Sequence, residues 1–226
     1  MMSGLRFPRG LYGITPEWDD FPRLIAALEA AAAGGMVALQ WRRKNTPPGA
    51  RLSQALEVAR RCRELNVVFI VNDDWRLAAQ VDADGVHLGR EDGSVAEARQ
   101  VLGPGKIIGS SCYDQPMLAQ SALKAGADYI ALGAMYPSAT KPDAVHATLD
   151  HIRQGRVLVE NAQSGARAAV VAIGGLTAQN AGAVIQAGAD SIALINGLFE
   201  ADDIRAAASQ CQALFSDRID SHVPQH

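Results

Sequence analysis

The sequence predicts one α/β domain built as a (β/α)8 TIM barrel, on three observations. Eight short apolar runs alternate with eight longer amphipathic ones along 226 residues, a length that suits one large domain. The apolar runs lack the polar–apolar alternation of half-exposed strands, as strands buried on both faces of a parallel sheet do. The phrase Ala-Asp followed by four or five mostly apolar residues occurs three times, starting at Ala83, Ala127 and Ala189. A doubly wound open sheet is the rival architecture. The first apolar run is not followed by the G-x-G-x-x-G turn that such sheets use for dinucleotides.

Taken in order, a short arm of about residues 1–10 precedes a first strand at 11–14. The helix expected at 20–33 opens with Asp20 as its cap candidate and Pro22 in its first turn, and stops at Gly34-Gly35. A second strand at 36–41 leads to a helix at 49–65, whose apolar stripe reads as Leu52, Leu56, Ala59 and Cys62 with arginines opposite. Strands at 67–71, 85–88, 106–111, 129–133, 168–173 and 191–195 then alternate with helices at 74–81, 94–102, 116–125, 148–156, 177–187 and 202–215. Within the repeated phrase, Gly126 and Gly188 are expected to end helices, so most of each copy is scaffold. No linker interrupts the chain, which makes 1–226 one domain with a polar tail at about 216–226 that is expected to fray.

Composition narrows the function. The chain is 48% hydrophobic and 20% charged, ordinary for a protein that buries a real core. A net charge of −3 argues against nucleic acid or an anionic membrane as partner, so any anion site must be a local cluster. Cys62, Cys112 and Cys211 lie far apart, which fits neither a disulfide framework nor a zinc site and suits a reducing compartment. The first ten residues lack a hydrophobic signal core, and no apolar run reaches bilayer length. The expected setting is the cytoplasm.

In a parallel barrel the chemistry lies at the C-terminal ends of the strands. The second strand ends in QWRRKN, and alternation sends Gln40, Arg42 and Lys44 to one side. Two cations and an amide suit a phosphate or diphosphate; a solvated basic loop is the plainer reading. The third strand ends in Asn72-Asp73-Asp74, where one aspartate is expected to cap the next helix and the other to face the mouth. The fourth delivers His87 and then Arg90, Glu91 and Asp92. His87 reads as structural or substrate-orienting rather than as a general base, and Asp92 as a metal ligand or as the cap of a helix near Ser94. The sixth delivers Ser138, Thr140 and Lys141, donors suited to an anion, or an ordinary turn between two prolines. The seventh ends in Gly174-Gly175, where backbone N–H groups can approach a phosphate. Cys112 reads as a bystander.

These motifs resemble those of the thiamine-phosphate synthase family, in its proteobacterial form. The likeness runs from LYGIT to SIALINGLF and rests on Q-x-R-x-K at 40–44, N-D at 72–73, D-G-V-H-L-G-x-E-D at 84–92, G-x-S at 109–111, P-S-x-T-K at 137–141 and A-I-G-G at 172–175. The resemblance implies an enzyme that joins 4-amino-2-methyl-5-(diphosphomethyl)pyrimidine to a thiazole phosphate, carboxylated or not, and releases diphosphate. It implies Mg2+ at Asp73 and Asp92, and diphosphate contacts from Arg42, Lys44, Asn72 and Lys141. It places the pyrimidine at Gln40 and Ser111, lines the site with Ser138 and Thr140, and holds the thiazole phosphate at Gly175 and the backbone of Ile195 and Asn196. Arg90 stands where the family usually has glutamine, and Asn196 where serine is common. A thiazole tautomerase and a silent phosphate-binding barrel are the rivals; neither requires Arg42, Lys44, Asp73, Asp92 and Lys141 together. A homo-oligomer stays open.

Overall fold

A computed structural model of the chain describes residues 4–137, 146–162 and 167–216. Its strands are β1 (Gly10–Ile14), β2 (Ala38–Trp41), β3 (Val68–Asn72), β4 (Gly85–Leu88), β5 (Ile107–Tyr113), β6 (Tyr129–Leu132), β7 (Ala169–Ile173) and β8 (Ser191–Leu194). Each pairs in parallel with the next, and β8 pairs with β1, so the sheet closes into the expected barrel. Between them run α1 (Phe21–Ala33), α2 (Pro48–Glu64), α3 (Trp75–Gln80), α4 (Val95–Leu102), α5 (Pro116–Lys124), α6 (Leu149–Asn161) and α7 (Ala181–Ala187). A short α8 (Asn196–Phe199) and then α9 (Ile204–Ala213) follow the last strand.

Burial on both strand faces produces two cores. One lies between barrel and helices and includes Leu11, Leu39, Phe69, Val86, Ile108 and Leu194. The other fills the barrel with Phe7, Tyr12, Ile14, Ile70, Tyr129 and Val171. Phe7 belongs to the arm before β1 and is fully buried, its ring centre 4.2 Å from that of Tyr129 in a tilted contact and 4.9 Å from that of Tyr12 in an edge-on one. The arm therefore closes the floor of the barrel.

The caps follow local chemistry. Asp20 caps α1 by accepting from the Arg23 amide at 2.9 Å, and Gly35 leaves the helix at a φ of +99°. Several expectations shift. On α2 the buried stripe is Ala55, Val58, Ala59 and Cys62, while Leu52 and Leu56 are exposed; spacing alone fitted both sets, and packing on β3 selects the smaller side chains. Helix α6 runs on to Asn161, with Gly155 inside it. A Cβ there would meet Leu132 at 2.6 Å, so this glycine serves the crossing over β6. Residues 177–180 form a turn before α7, which opens four residues later than expected, and α8 was not foreseen. Strand β5 extends through a bulge between Ser111 and Tyr113.

The repeated Ala-Asp phrase has one structural role. Asp84, Asp128 and Asp190 each precede an even-numbered strand, and each carboxylate accepts a backbone N–H from the preceding strand. The acceptances are Phe69 to Asp84 at 2.8 Å, Ile108 to Asp128 at 2.8 Å and Val170 to Asp190 at 2.9 Å. Asp128 also pairs with Arg6 and Arg99, and Asp190 with Arg156 and Arg167. These are the stitches of the barrel floor, at the end opposite the expected site.

Candidate active site

The C-terminal ends of the strands open on a cavity of about 960 Å3. Gln40, Arg42, Lys44, Asn72, Asp73 and Asp92 line one side, Ser111 sits deeper, and Gly175, Ile195 and Asn196 line the far side. The structure thus gathers the expected residues of β2, β3, β4, β5, β7 and β8 at one mouth. Ser138, Thr140 and Lys141 lie outside the described residues.

The cationic corner is built by a turn after β2. Arg42 lies 3.8 Å from Glu17, and Lys44 lies 3.3 Å from Asp73. Glu17 also accepts the Lys44 amide at 2.8 Å and so fixes the loop that carries both cations. Sequence reading missed Glu17, because the loop after β1 carried no motif that marked it.

The adjacent aspartates after β3 divide their work. Asp74 caps α3, accepting from Leu77 at 2.9 Å. Asp73 has a φ of +65°, a left-handed conformation uncommon outside glycine, and its side chain lines the cavity. Its own amide donates to the His87 carbonyl at 2.8 Å, which ties the turn to β4. After β4 the chain folds back so that Asp92 accepts the Gly89 amide at 2.8 Å. A Cβ on Gly89 would meet the Asp92 carboxylate at 2.6 Å, so close approach demands glycine there. The capping alternative for Asp92 is excluded: Ser94 caps α4, in a reciprocal pair with Glu97. Glu91 is exposed at the rim of the same cavity.

Burial pushes the Asp92 carboxyl above its usual range, and the neighbouring Asp73 carboxylate adds to the rise. Two like charges held together beside one lysine form a hard oxygen donor set that a divalent cation would relieve. Mg2+ takes one or two carboxylates and completes its shell with water and phosphate oxygens, so these residues fit it. A cleft of about 490 Å3 adjoins the cavity and also has Asp73 and Asp92 in its wall.

Deeper in, Gln40 donates to the Tyr12 hydroxyl at 2.8 Å, Tyr12 meets the Tyr129 hydroxyl at 3.0 Å, and Tyr129 meets His87 Nδ1 at 3.0 Å. His87 Nε2 meets Ser111 Oγ at 2.8 Å. Neither tyrosine was singled out from sequence. One signal existed: Gly109 lies opposite Tyr129 in the ladder, and a Cβ on Gly109 would collide with the Tyr129 ring at 1.9 Å. Burial pushes the Cys112 thiol up to about 12, so it stays protonated and is no nucleophile. At the far side, Gly174 and Gly175 have φ of +99° and +61°. A Cβ on either would strike the segment after β6, at Ala134 or at the Tyr136 and Pro137 carbonyls.

The profile of a family described as thiamine monophosphate synthase matches residues 11–198. The thiamine-phosphate synthase of Bordetella pertussis is 56% identical over 215 residues, covering 95% of this chain and 99% of that protein. That of Thiobacillus denitrificans is 49% identical, covering 93% and 96%. Among solved structures, a thiamine phosphate pyrophosphorylase from Pyrococcus furiosus superposes with a TM-score of 0.80 at 33% identity, covering 95% of this chain and 98% of that one. An orotidine 5'-phosphate decarboxylase from Pyrococcus horikoshii, at a TM-score of 0.65 and 14% identity, shares the fold.

Proposed function

This chain belongs to the thiamine monophosphate synthase family, and on that premise we propose how its site works. The enzyme is a transferase of thiamine biosynthesis that condenses a pyrimidine with a thiazole. Its substrates, in this reading, are the aminopyrimidine methyl diphosphate and the thiazole phosphate. The bond between the pyrimidine methylene and the diphosphate oxygen breaks first, and the electron pair leaves with diphosphate. The electron-rich ring stabilises the resulting cation, and the thiazole nitrogen lone pair then closes the new C–N bond.

Such a reaction needs charge neutralisation and placement, with little acid–base machinery. The observation that carries the reading is the convergence of Arg42, Lys44, Asn72, Asp73 and Asp92 on one side of a single cavity. Arg42, Lys44 and Asn72 bind the diphosphate, joined by Lys141. Asp73 and Asp92 would hold Mg2+, which supplies further neutralisation of the leaving group. Gln40 and Ser111 seat the pyrimidine. Gly175, Ile195 and Asn196 seat the thiazole phosphate, with Ser138 and Thr140 contributing from the loop after β6. Three free, buried cysteines support a reducing, cytoplasmic setting.

The test combines purified protein, both substrates and Mg2+, with thiamine phosphate detected by mass spectrometry. Chelation of Mg2+ should abolish turnover and its return should restore it. Lys141→Ala should slow the single-turnover step by about 10²–10³-fold, the usual loss for one charge-stabilising donor. Full-rate product formation after chelation, or a wild-type rate in Lys141→Ala, would contradict the corresponding assignment.

A further inference from the structure

We propose that Thr15, Glu17 and Arg43 are positioning residues of the diphosphate corner. They bolt the loop that carries Arg42 and Lys44 onto the loop after β1, residues 15–20, and so fix where both cations stand. The three side chains lie behind the cavity wall, which Arg42 and Lys44 line. The inference rests on the diphosphate seat proposed above and adds the frame that holds it.

The contacts fall on three successive residues. Thr15 is buried, and its hydroxyl donates to the Arg42 carbonyl at 3.1 Å while accepting the Arg42 amide at 2.8 Å. One side chain thus holds both main-chain polar groups of Arg42. The alternation that turns Arg42 and Lys44 toward the cavity turns Arg43 away from it. Arg43 is 8% exposed, and its guanidinium donates to the Thr46 hydroxyl at 3.2 Å, to the Pro16 carbonyl at 3.4 Å and to the Trp18 carbonyl. Its donors are thus engaged by the loop after β1 and by Thr46. Glu17 accepts the Lys44 amide at 2.8 Å and the Asn45 amide at 3.4 Å. The loop after β1 is itself anchored. Arg23 of α1 lies 3.8 Å from the centre of the Trp18 ring, and that ring meets Phe199 of α8 edge-on at 6.3 Å.

The Lys44 side chain is 58% exposed, so packing does little to confine it, and what the structure fixes is the backbone it leaves. Donors held in place before the reaction pay no reorganisation when charge develops on the leaving group. Small displacements of such groups are correspondingly costly. Glu17 separates positioning from plain electrostatics. Its carboxylate lies 3.8 Å from the Arg42 guanidinium and lowers the net positive charge of the corner. If charge alone mattered, removing Glu17 would tighten diphosphate binding. If it positions the loop, removing it weakens binding, and the two accounts differ in sign.

Calorimetric titration with inorganic diphosphate and Mg2+, below the melting transition, reads the corner without turnover. Arg42→Ala tests the seat: unchanged affinity in that variant would displace the seat itself and the inference with it. With the seat intact, Thr15→Val, Arg43→Met and Glu17→Ala should each weaken diphosphate binding about tenfold and raise KM for the pyrimidine, with KM for the thiazole phosphate unchanged. Thr15→Ser keeps the hydroxyl and should restore wild-type affinity. Glu17→Gln keeps an oxygen for the Lys44 amide while losing the charge, and should bind at least as tightly as wild type. Added to Arg42→Ala, Thr15→Val should cost little more, because its effect runs through Arg42. Losses that simply add would overturn the positioning role of Thr15. Wild-type or tighter binding in Glu17→Ala, or a loss in Glu17→Gln as large as in Glu17→Ala, would overturn that of Glu17. The Glu17 variants change a partly exposed side chain on a loop, so they serve if Thr15→Val does not fold.

Discussion

Asp73 and Asp74 show how little separates an aspartate that caps a helix from one that lines the cavity. The same carboxylate chemistry caps α3 at Asp74 and lines the cavity at Asp73, and the left-handed turn at Asp73 decides which is which. Asp92 and Ser94 divide in the same way, with the cap going to Ser94. Two variants separate the roles. Asp92→Asn should keep its melting temperature while activity falls sharply and the Mg2+ requirement rises; unchanged Mg2+ dependence and turnover would remove Asp92 from the proposed metal site. Asp74→Ala should cost about 1 kcal/mol of stability, as lost caps do, with the Mg2+ requirement unaltered. Arg90 offers a third comparison. It lines the cavity that Arg42 and Lys44 also line, with its guanidinium 5.0 Å from the centre of the Tyr113 ring. Arg90→Gln should weaken pyrimidine diphosphate binding at low salt and matter less at high salt, because exposed charges are screened beyond about 10 Å at 0.1 M. Equal affinity at both ionic strengths would assign Arg90 no part in binding.

At the scale of elements, the sequence made the strands and the long helices readable because burial on both faces writes continuous apolar runs. It did not reveal which residues of α2 face inward, since Leu52 and Leu56 share helical spacing with the stripe that packs. It did not reveal α8 either, four residues whose helical turn carries no periodicity of its own. The Ala-Asp repeat was visible, and its meaning was only partly so. Helix-ending glycines were legible from local preference, whereas the carboxylate stitch to the previous strand needs tertiary contact. The stitches are unequal. Asp190 is buried at 4% exposure with two arginines, while Asp84 is exposed and makes the same backbone contact. Asp190→Ala removes a partner of Arg167, one of the two carboxylates on Arg156 and the acceptor of the Val170 amide, and should cost about 3 kcal/mol. Asp84→Ala should cost about 1–2 kcal/mol, the scale of one charge-assisted hydrogen bond. Denaturant titration of the two variants checks the order, and equal losses would deny the arginine pairs their role.

Across the whole molecule, the fold class and most of the mouth were legible, because each strand announces its own C-terminal residues in sequence. The barrel interior was not, because Gln40, Tyr12, Tyr129, His87 and Ser111 come from β2, β1, β6, β4 and β5 and meet only once the sheet closes. The same closure links the floor to the site. Phe7 plugs the lower end and packs on Tyr12 and Tyr129, whose hydroxyls join the hydrogen-bonded chain that ends at Ser111. A change at the floor should therefore be felt at the mouth. Phe7→Ala removes a fully buried ring, and such truncations cost about 3–5 kcal/mol. For a chain of this length that is a fall in melting temperature of about 10 °C. Loss of stability alone would lower the amount of active enzyme and leave both Michaelis constants as they were. Loss of support for the tyrosine pair predicts more: below the melting transition, KM for the pyrimidine should rise while KM for the thiazole phosphate, whose proposed seat is on the far side at β7 and β8, stays near the wild-type value. Phe7→Leu fills most of the space and should recover most of both effects. A destabilised Phe7→Ala enzyme with both constants unchanged would show that the floor holds up the barrel and nothing more.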